Sequence, residues 1–242
     1  MEQIATIEAG VERLLTFRKR PVPEFSVISG DGSSFLDTLI WNGNSIPLFE
    51  SHFDPQIRAV AEYGGTAAEN CALNTYSFSG KDVSLSELIF REVDIAEFIL
   101  HSRIKKVMGF VNGNAANIIC VMENGTCANI DLGCTMAPGT GNQSQHRLIT
   151  KHGMANDRVV ADMVPQHQVY VFGSQKCDAD YYDDVDMYLY GLNEEDSRKA
   201  LAIHAIITGQ EVWTEWRSNQ DRCMRVVEAV FESSRTCTPV YL

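Results

Sequence analysis

The stretch LIFREVDIAEFILHSRIKKV, residues 88–107, predicts a helix followed directly by a strand, and this order decides the fold. Apolar residues recur at helical spacing, and Ser84 or Ser86 can cap a helix that we expect to run to about Ser102. Beyond it, the apolar pattern changes from a helical period to a period of two. Residues 103–172 therefore predict a run of short β-strands.

The predicted strands are β-branched segments separated by turns, two of which are Asn-Gly pairs at 112–113 and 124–125. The segments are IKKVMGFV, ANIICVME, TCANIDLG, HRLITKHG, RVVADMV and QVYVFG. Short turns between them favour sequential antiparallel hairpins. ANIICVME places apolar side chains on both faces, with Ile119 and Val121 opposite Ile118 and Cys120. If helices cover only one face of the sheet, the apolar side chains on the other face must be buried by something else. Burial against a second copy of the chain would achieve this, so we expect a homo-oligomer.

Helices are also predicted around this sheet, at residues 4–19, from Pro55 to Gly65, at 194–207 and at 219–233. The chain has 242 residues, of which 45% are hydrophobic and 21% charged, as in globular proteins. The sequence thus predicts an α+β protein: helices first, then a large sheet, then two helices.

Composition disfavours several classes of protein. A net charge of -12 disfavours nucleic acid as a partner, and no apolar run reaches the roughly 20 residues of a membrane span. The seven cysteines form no C-x-x-C pair and the N-terminus does not resemble a signal peptide, so we expect a soluble cytoplasmic protein. The six histidines form no metal-binding pair, and the acids of 178–186 do not fit a calcium loop, so no metal site is predicted.

The order of these elements resembles the C-terminal domain of the glucose-fructose oxidoreductase / inositol dehydrogenase family (Gfo/Idh/MocA). The likeness is carried by IPLFESHFDPQIRAVAEYGG, VDIAEFIL, RIKKVMGF, the ANIICVMENGTCANIDLG hairpin, RCMRVVEAVFESS and TPVYL. It implies a large, mostly antiparallel open sheet covered on one face by helices, in a domain at 46–242 behind an N-terminal helix and connecting segment at 1–45. Members are NAD(P)-dependent, act mostly on sugars and cyclitols, and carry a Rossmann domain in front. We expect that domain to be missing here.

One segment imitates a dinucleotide-binding fingerprint. FSVISGDGSSFLDTLIWNGNSIPLFE combines an apolar strand with Gly30 and Gly32, and ends twenty residues after Gly30 at Glu50. Phe35 stands at the third glycine position, and too little chain remains for a βαβαβ half. We therefore favour an ordinary glycine turn, and expect no cofactor to be bound by this chain alone.

The resemblance also indicates which residues would occupy the catalytic positions. Family members use a Glu-Lys-Pro lysine together with an aspartate and a histidine four apart on the helix that opens the second domain. Matching VDIAEFIL to that pattern puts Glu87 at the aspartate position, Arg91 at the histidine position and Asp94 at a further acid. Arginine cannot accept a hydroxyl proton, because its guanidinium stays protonated, and no Glu-Lys-Pro occurs in the sequence.

Two interpretations of these residues stay open at this point. Glu87, Arg91 and Asp94 can form a stripe of mutually compensating charges on the helix surface. Alternatively, Glu87, Arg91, Asp94 and, by analogy, His146 can bind a sugar or carboxylate through the fixed guanidinium fork of Arg91.

We expect a non-catalytic domain that binds a sugar or cyclitol, or a companion subunit. We also expect it to form a homodimer or higher homo-oligomer through the sheet face. One alternative is an NAD(P)-dependent sugar oxidoreductase whose nucleotide domain comes from a partner chain or lies outside this sequence. In either case a full-length oxidoreductase is a candidate partner. A third possibility is a sugar-sensing regulatory module.

Overall fold

The chain forms two compact units in a computed structural model that describes residues 2–30, 34–66, 70–158, 168–173, 177–181 and 192–242. The small unit comprises 1–55 and 183–221, and the sheet unit comprises 56–182 and 222–242. This division by internal contacts differs from the boundary expected after residue 45, which rests on the family resemblance and stays a prediction.

Nine strands make up the described part of the sheet unit. They are β4 (Asn70–Gly80), β5 (Ile104–Asn112), β6 (Ala115–Met122), β7 (Cys127–Met136), β8 (Gln143–Thr150), β9 (Gly153–Asn156), β10 (Gln168–Gly173), β11 (Cys177–Tyr181) and β12 (Val240–Tyr241). Their order across the sheet is β11-β10-β9-β8-β4-β7-β6-β5-β12. Every neighbouring pair is antiparallel except β4 and β7, which are parallel. The expected α+β fold with a mostly antiparallel sheet is confirmed.

The expectation of uninterrupted sequential hairpins is wrong at one place. Strands β7 and β8 follow each other in the chain but are not paired, because β4 lies between them. Ser77 of β4 is opposite Leu132 of β7 on one side and Ser144 of β8 on the other. Strand β4 is separated from β7 and β8 in the chain by the helix Leu85–Leu100 and by β5 and β6, so its pairing is long-range in sequence and turn signals could not reveal it. Most of RVVADMV lies outside the described residues.

Helices cover one face of this sheet. They are α3 (Leu85–Leu100), which contacts β4 and β7, and the C-terminal part of α5 (Trp216–Thr236), which contacts β5. Helix α2 (Pro55–Thr66) contacts His101, the residue that ends α3, through the carbonyl oxygen of Ala61. The burial alternates as predicted: Ile118 is fully buried, whereas its neighbour Ile119 on the opposite face is 42% exposed. Gly109 of β5 lets α5 approach closely, since a Cβ there would lie 2.6 Å from the carbonyl oxygen of Val230.

The small unit contains α1 (Glu2–Phe17), β1 (Phe25–Ile28), β2 (Thr38–Trp41), β3 (Asn44–Pro47), a short 3-10 helix (Glu50–Phe53) and α4 (Glu194–Ile207). Helix α1 packs on α4, and the three strands form a separate antiparallel sheet in the order β1-β2-β3. Among the described residues no helix has the length and apolar character needed to cross a membrane.

Candidate functional site

Arg91 occupies an anchored position on α3. Ser84 caps the helix, accepting a hydrogen bond from the backbone N–H of Glu87, so the helix start is fixed. Arg91 lies one turn further on, and its Nη2 donates to Ser77 Oγ on β4 at 3.1 Å. Its Nε lies 3.6 Å from Glu92 Oε1. Ser77 in turn donates to Asn142 Oδ1 at 3.0 Å, so this hydroxyl is held on both sides. The guanidinium therefore has a defined orientation.

Behind Arg91, a buried histidine joins two carboxylates. His146 Nε2 lies 3.1 Å from Glu92 Oε2, and His146 Nδ1 lies 2.6 Å from Asp157 Oδ2. The backbone N–H of His146 also donates to Asp157 Oδ1 at 2.7 Å, which fixes this carboxylate across the β8–β9 hairpin. The side chains of Glu92, His146 and Asp157 are 0%, 2% and 9% exposed. We call these three residues and Arg91 the Arg91 cluster.

The charges of the Arg91 cluster follow from these contacts. Burial disfavours an imidazolium, but Asp157 and Glu92 outweigh it and raise the pKa of His146 to about 10. Burial would also raise the pKa of Glu92, yet the charges of His146 and Arg91 bring that pKa below its usual value. At neutral pH the cluster therefore holds two cations and two anions.

The other two predicted site residues lie apart from this cluster. Glu87 is exposed on the first turn of α3, and no ion pair joins it to Arg91 within the described part of the chain. Asp94 is buried, and its charge acts on Arg222 and Cys223 of α5 instead. The structure thus unites two of the four predicted site residues, Arg91 and His146.

Two members of the Arg91 cluster were missed by the sequence analysis. Glu92 follows Arg91 directly, but adjacent residues on a helix point in different directions, so the sequence did not signal their contact. Asp157 had no local signal, because its contact with His146 depends on the pairing of β8 with β9.

Cys134 of β7 lies near the solvent end of this site. Burial raises the pKa of its thiol, while the charges of Arg91 and Glu87 act on it in opposite directions. The thiol is therefore protonated at neutral pH and unsuited to act as a nucleophile.

A groove of about 760 Å³ lies on the opposite, uncovered face of the sheet. It is lined by aromatic rings, including Tyr76, Phe78 and Phe110, and by a polar pair in which Asn117 Nδ2 donates to Asp131 Oδ1 at 2.6 Å. Phe110 is 51% exposed at its edge. This is the face that the sequence predicted to need a second cover.

The dinucleotide-like segment does not form the geometry of a cofactor site. Its strands β1 and β2 are antiparallel neighbours, whereas the fingerprint requires parallel strands joined by a helix. The N–H of Gly30 donates to Asp37 Oδ1, and Gly32 lies outside the described residues. Glu50 lies 3.6 Å from Lys199 Nζ, and burial raises its pKa to about 7. The described residues of this segment therefore do not fit NAD(P).

Within the described ranges, no set of three or more His, Cys, Asp or Glu side chains is arranged to hold a metal ion.

Comparisons with known proteins give the same fold. No protein-family model and no curated protein sequence matches the chain. An oxidoreductase from Agrobacterium radiobacter, solved with NAD+, L-tartaric acid and magnesium, matches with a TM-score of 0.62 and 16% identity, over 79% of this chain and 63% of that one. Levoglucosan dehydrogenase with NADH matches with a TM-score of 0.63 and 13% identity, over 80% of this chain and 64% of that one.

These identities establish the fold alone, and the chain spans about 63% of the length of the first of these structures. The match nevertheless covers most of the chain with consistent scores. The chain has the fold of Gfo/Idh/MocA-type oxidoreductases over about four fifths of its length, as the sequence resemblance predicted.

Proposed function

We propose that this chain binds a sugar or cyclitol beside Arg91 and does not itself transfer hydride. The carrying observation is the anchored guanidinium of Arg91 at the position that the resemblance assigns to the catalytic histidine. A fixed fork of donors can orient ligand oxygens, but it cannot remove a proton from a hydroxyl group.

No relocated base takes the place of the missing histidine in the described residues near Arg91. His146 is nearest through Glu92, but it is 2% exposed and already protonated at neutral pH. Oxidation of a secondary alcohol requires a group that accepts the hydroxyl proton as hydride leaves. The Arg91 cluster supports binding without this step.

The structural neighbours support the choice of ligand class. Their structures hold levoglucosan, L-sorbose or L-tartaric acid, all small polyhydroxy compounds. We extend this class to the present chain as a proposal, because about four fifths of the chain shares their fold.

Calorimetric titration tests the proposal. We expect the purified chain to bind at least one member of a panel of neutral and acidic sugars, cyclitols and levoglucosan, and Arg91→Gln to weaken that binding. Arg103→Gln is the matched control, since Arg103 is exposed in the same unit and its removal changes the net charge equally. Failure of the whole panel to bind would refute the proposal. Reduction of added NAD+ or NADP+ would favour the alternative of a working oxidoreductase.

A further inference from the structure

The charges of the Arg91 cluster are arranged with a cation at the surface. Its two cations and two anions balance, so the cluster as a whole has no excess negative charge that would repel an anion. The three inner members are at most 9% exposed, whereas the side chain of Arg91 is 34% exposed. Solvent and any ligand therefore meet the positive end.

The guanidinium of Arg91 also has N–H groups that are available to a ligand. Of its five N–H donors, one points to Ser77 and Nε lies toward Glu92. Nη1 makes no hydrogen bond to any residue in the described part of the chain. At the outer end of the guanidinium plane, one Nη1 hydrogen lies beside one Nη2 hydrogen, and this pair of donors matches the two oxygens of a carboxylate.

The inner cluster holds this edge in place before a ligand arrives. Glu92 is shared between Arg91 and the His146 imidazolium, so Arg91 has no full counter-charge of its own. The anchors at Ser77 and Glu92 restrict the rotamers of Arg91, which reduces the entropy lost when a bidentate contact forms.

We infer that the natural ligand of this site carries a carboxylate bound by the free guanidinium edge of Arg91, as in a uronic or aldonic acid. This inference rests on the proposed function, and it narrows the ligand from sugars and cyclitols in general to their acids. The negative charge of Glu87 weakens the binding of such a ligand, because its exposed carboxylate lies one helical turn from Arg91 on the same face.

The decisive experiment uses the unaltered protein and ligands matched in shape. D-glucuronate, D-galacturonate and D-gluconate are titrated by calorimetry at pH 7.5 and low salt, each against its neutral amide. We expect at least one acid to bind about tenfold or more tightly than its amide, with this preference reduced at high salt. Because it needs no variant, this comparison stands even where a substitution affects folding.

Variants then assign the preference to Arg91. Arg91→Gln should bring the acid to the affinity of its amide, and Arg91→Lys should recover only part of the loss, since lysine keeps the charge but not the fork. Glu87→Gln should tighten acid binding about threefold by removing a like charge. Arg103→Gln should leave both ligands unchanged.

The outcomes separate the two proposals. Equal binding of acids and amides overturns the carboxylate inference and leaves the proposed polyol site standing. A preference for acids that survives in Arg91→Gln also overturns the inference, since another cation must then hold the carboxylate. Absence of binding by neutral and acidic compounds alike refutes the proposed function and the inference with it.

Discussion

Replacing His146 by glutamine should destabilise the sheet unit strongly and in a pH-dependent way. His146 is the buried cation between Glu92 and Asp157. Glutamine can keep one hydrogen bond but no charge, so two buried carboxylates would lose their shared counter-ion. Breaking a buried ion pair by removing one partner typically costs 3–5 kcal/mol.

The magnitude also follows from the proton affinity of the imidazole. A pKa rise from 6.5 to about 10 corresponds to roughly 5 kcal/mol, at 1.36 kcal/mol for each tenfold change in proton affinity. This is an upper limit, because the carboxylates themselves take up protons once the imidazolium is absent. We therefore expect His146→Gln to lower the free energy of unfolding by about 4 kcal/mol at pH 6.

The pH dependence has a definite sign. Because the pKa of His146 is higher in the folded than in the unfolded chain, its stabilisation is complete below pH 6.5. It is lost progressively as the pH rises toward 10. The difference between the original protein and His146→Gln should therefore shrink from about 4 kcal/mol at pH 6 to about 1 kcal/mol near pH 10. Taking this difference cancels titrating groups outside the Arg91 cluster, such as Glu50.

Urea unfolding followed by far-ultraviolet circular dichroism is the appropriate assay. The three tryptophans, Trp41, Trp213 and Trp216, all lie in the small unit, so circular dichroism, which detects the sheet itself, is preferred to their fluorescence. His152→Gln is the matched control, since His152 is exposed in the β8–β9 turn and should change stability by less than about 0.5 kcal/mol. A His146→Gln effect below about 1 kcal/mol at pH 6, or one that is constant up to pH 10, would falsify the assignment of a buried imidazolium.

The remaining predictions concern cofactor, catalysis and assembly. The chain alone should bind NAD(H) and NADP(H) more weakly than about 100 μM by calorimetry, and tighter binding would contradict this. Arg91→His should produce no cofactor reduction above the rate without protein, because a restored base has no bound nicotinamide beside it; measurable turnover would mean an otherwise intact site. We also predict a homodimer through the uncovered sheet face, so that light scattering gives roughly twice 27.0 kDa. Ile119→Asp should abolish that dimer, whereas a monomeric original protein would rule it out.

The sequence predicted local elements more successfully than their pairing. Helix α4 lies at the predicted residues 194–207, and the Asn-Gly pairs at 112–113 and 124–125 join β5 to β6 and β6 to β7. These features depend on neighbouring residues, through periodicity and turn chemistry. The place of β4 in the sheet depends on contacts distant in sequence, which no turn signal encodes.

The same contrast explains the candidate site. The resemblance located Arg91 on its helix, because helix and spacing are local properties. His146 was included only by analogy, and its partner Asp157 was missed, because the chain must form the β8–β9 hairpin before the two meet. Asp94 was grouped with Arg91 because it matches a further acid of the family pattern, yet its charge acts on α5.

The energetics of the Arg91 cluster distinguish a stabilising role from a binding role. Glu92 has the His146 imidazolium 3.1 Å from its Oε2, so its burial depends more on His146 than on Arg91, whose Nε is 3.6 Å from Oε1. A partly exposed ion pair of this length contributes about 0–1 kcal/mol to folding. Arg91 is therefore of little importance for stability, although it is held by two anchors and presents an open edge to solvent. An anchored cation that the fold does not require for its stability has the properties of a binding group, and this supports the proposed role of Arg91 in recognising a ligand.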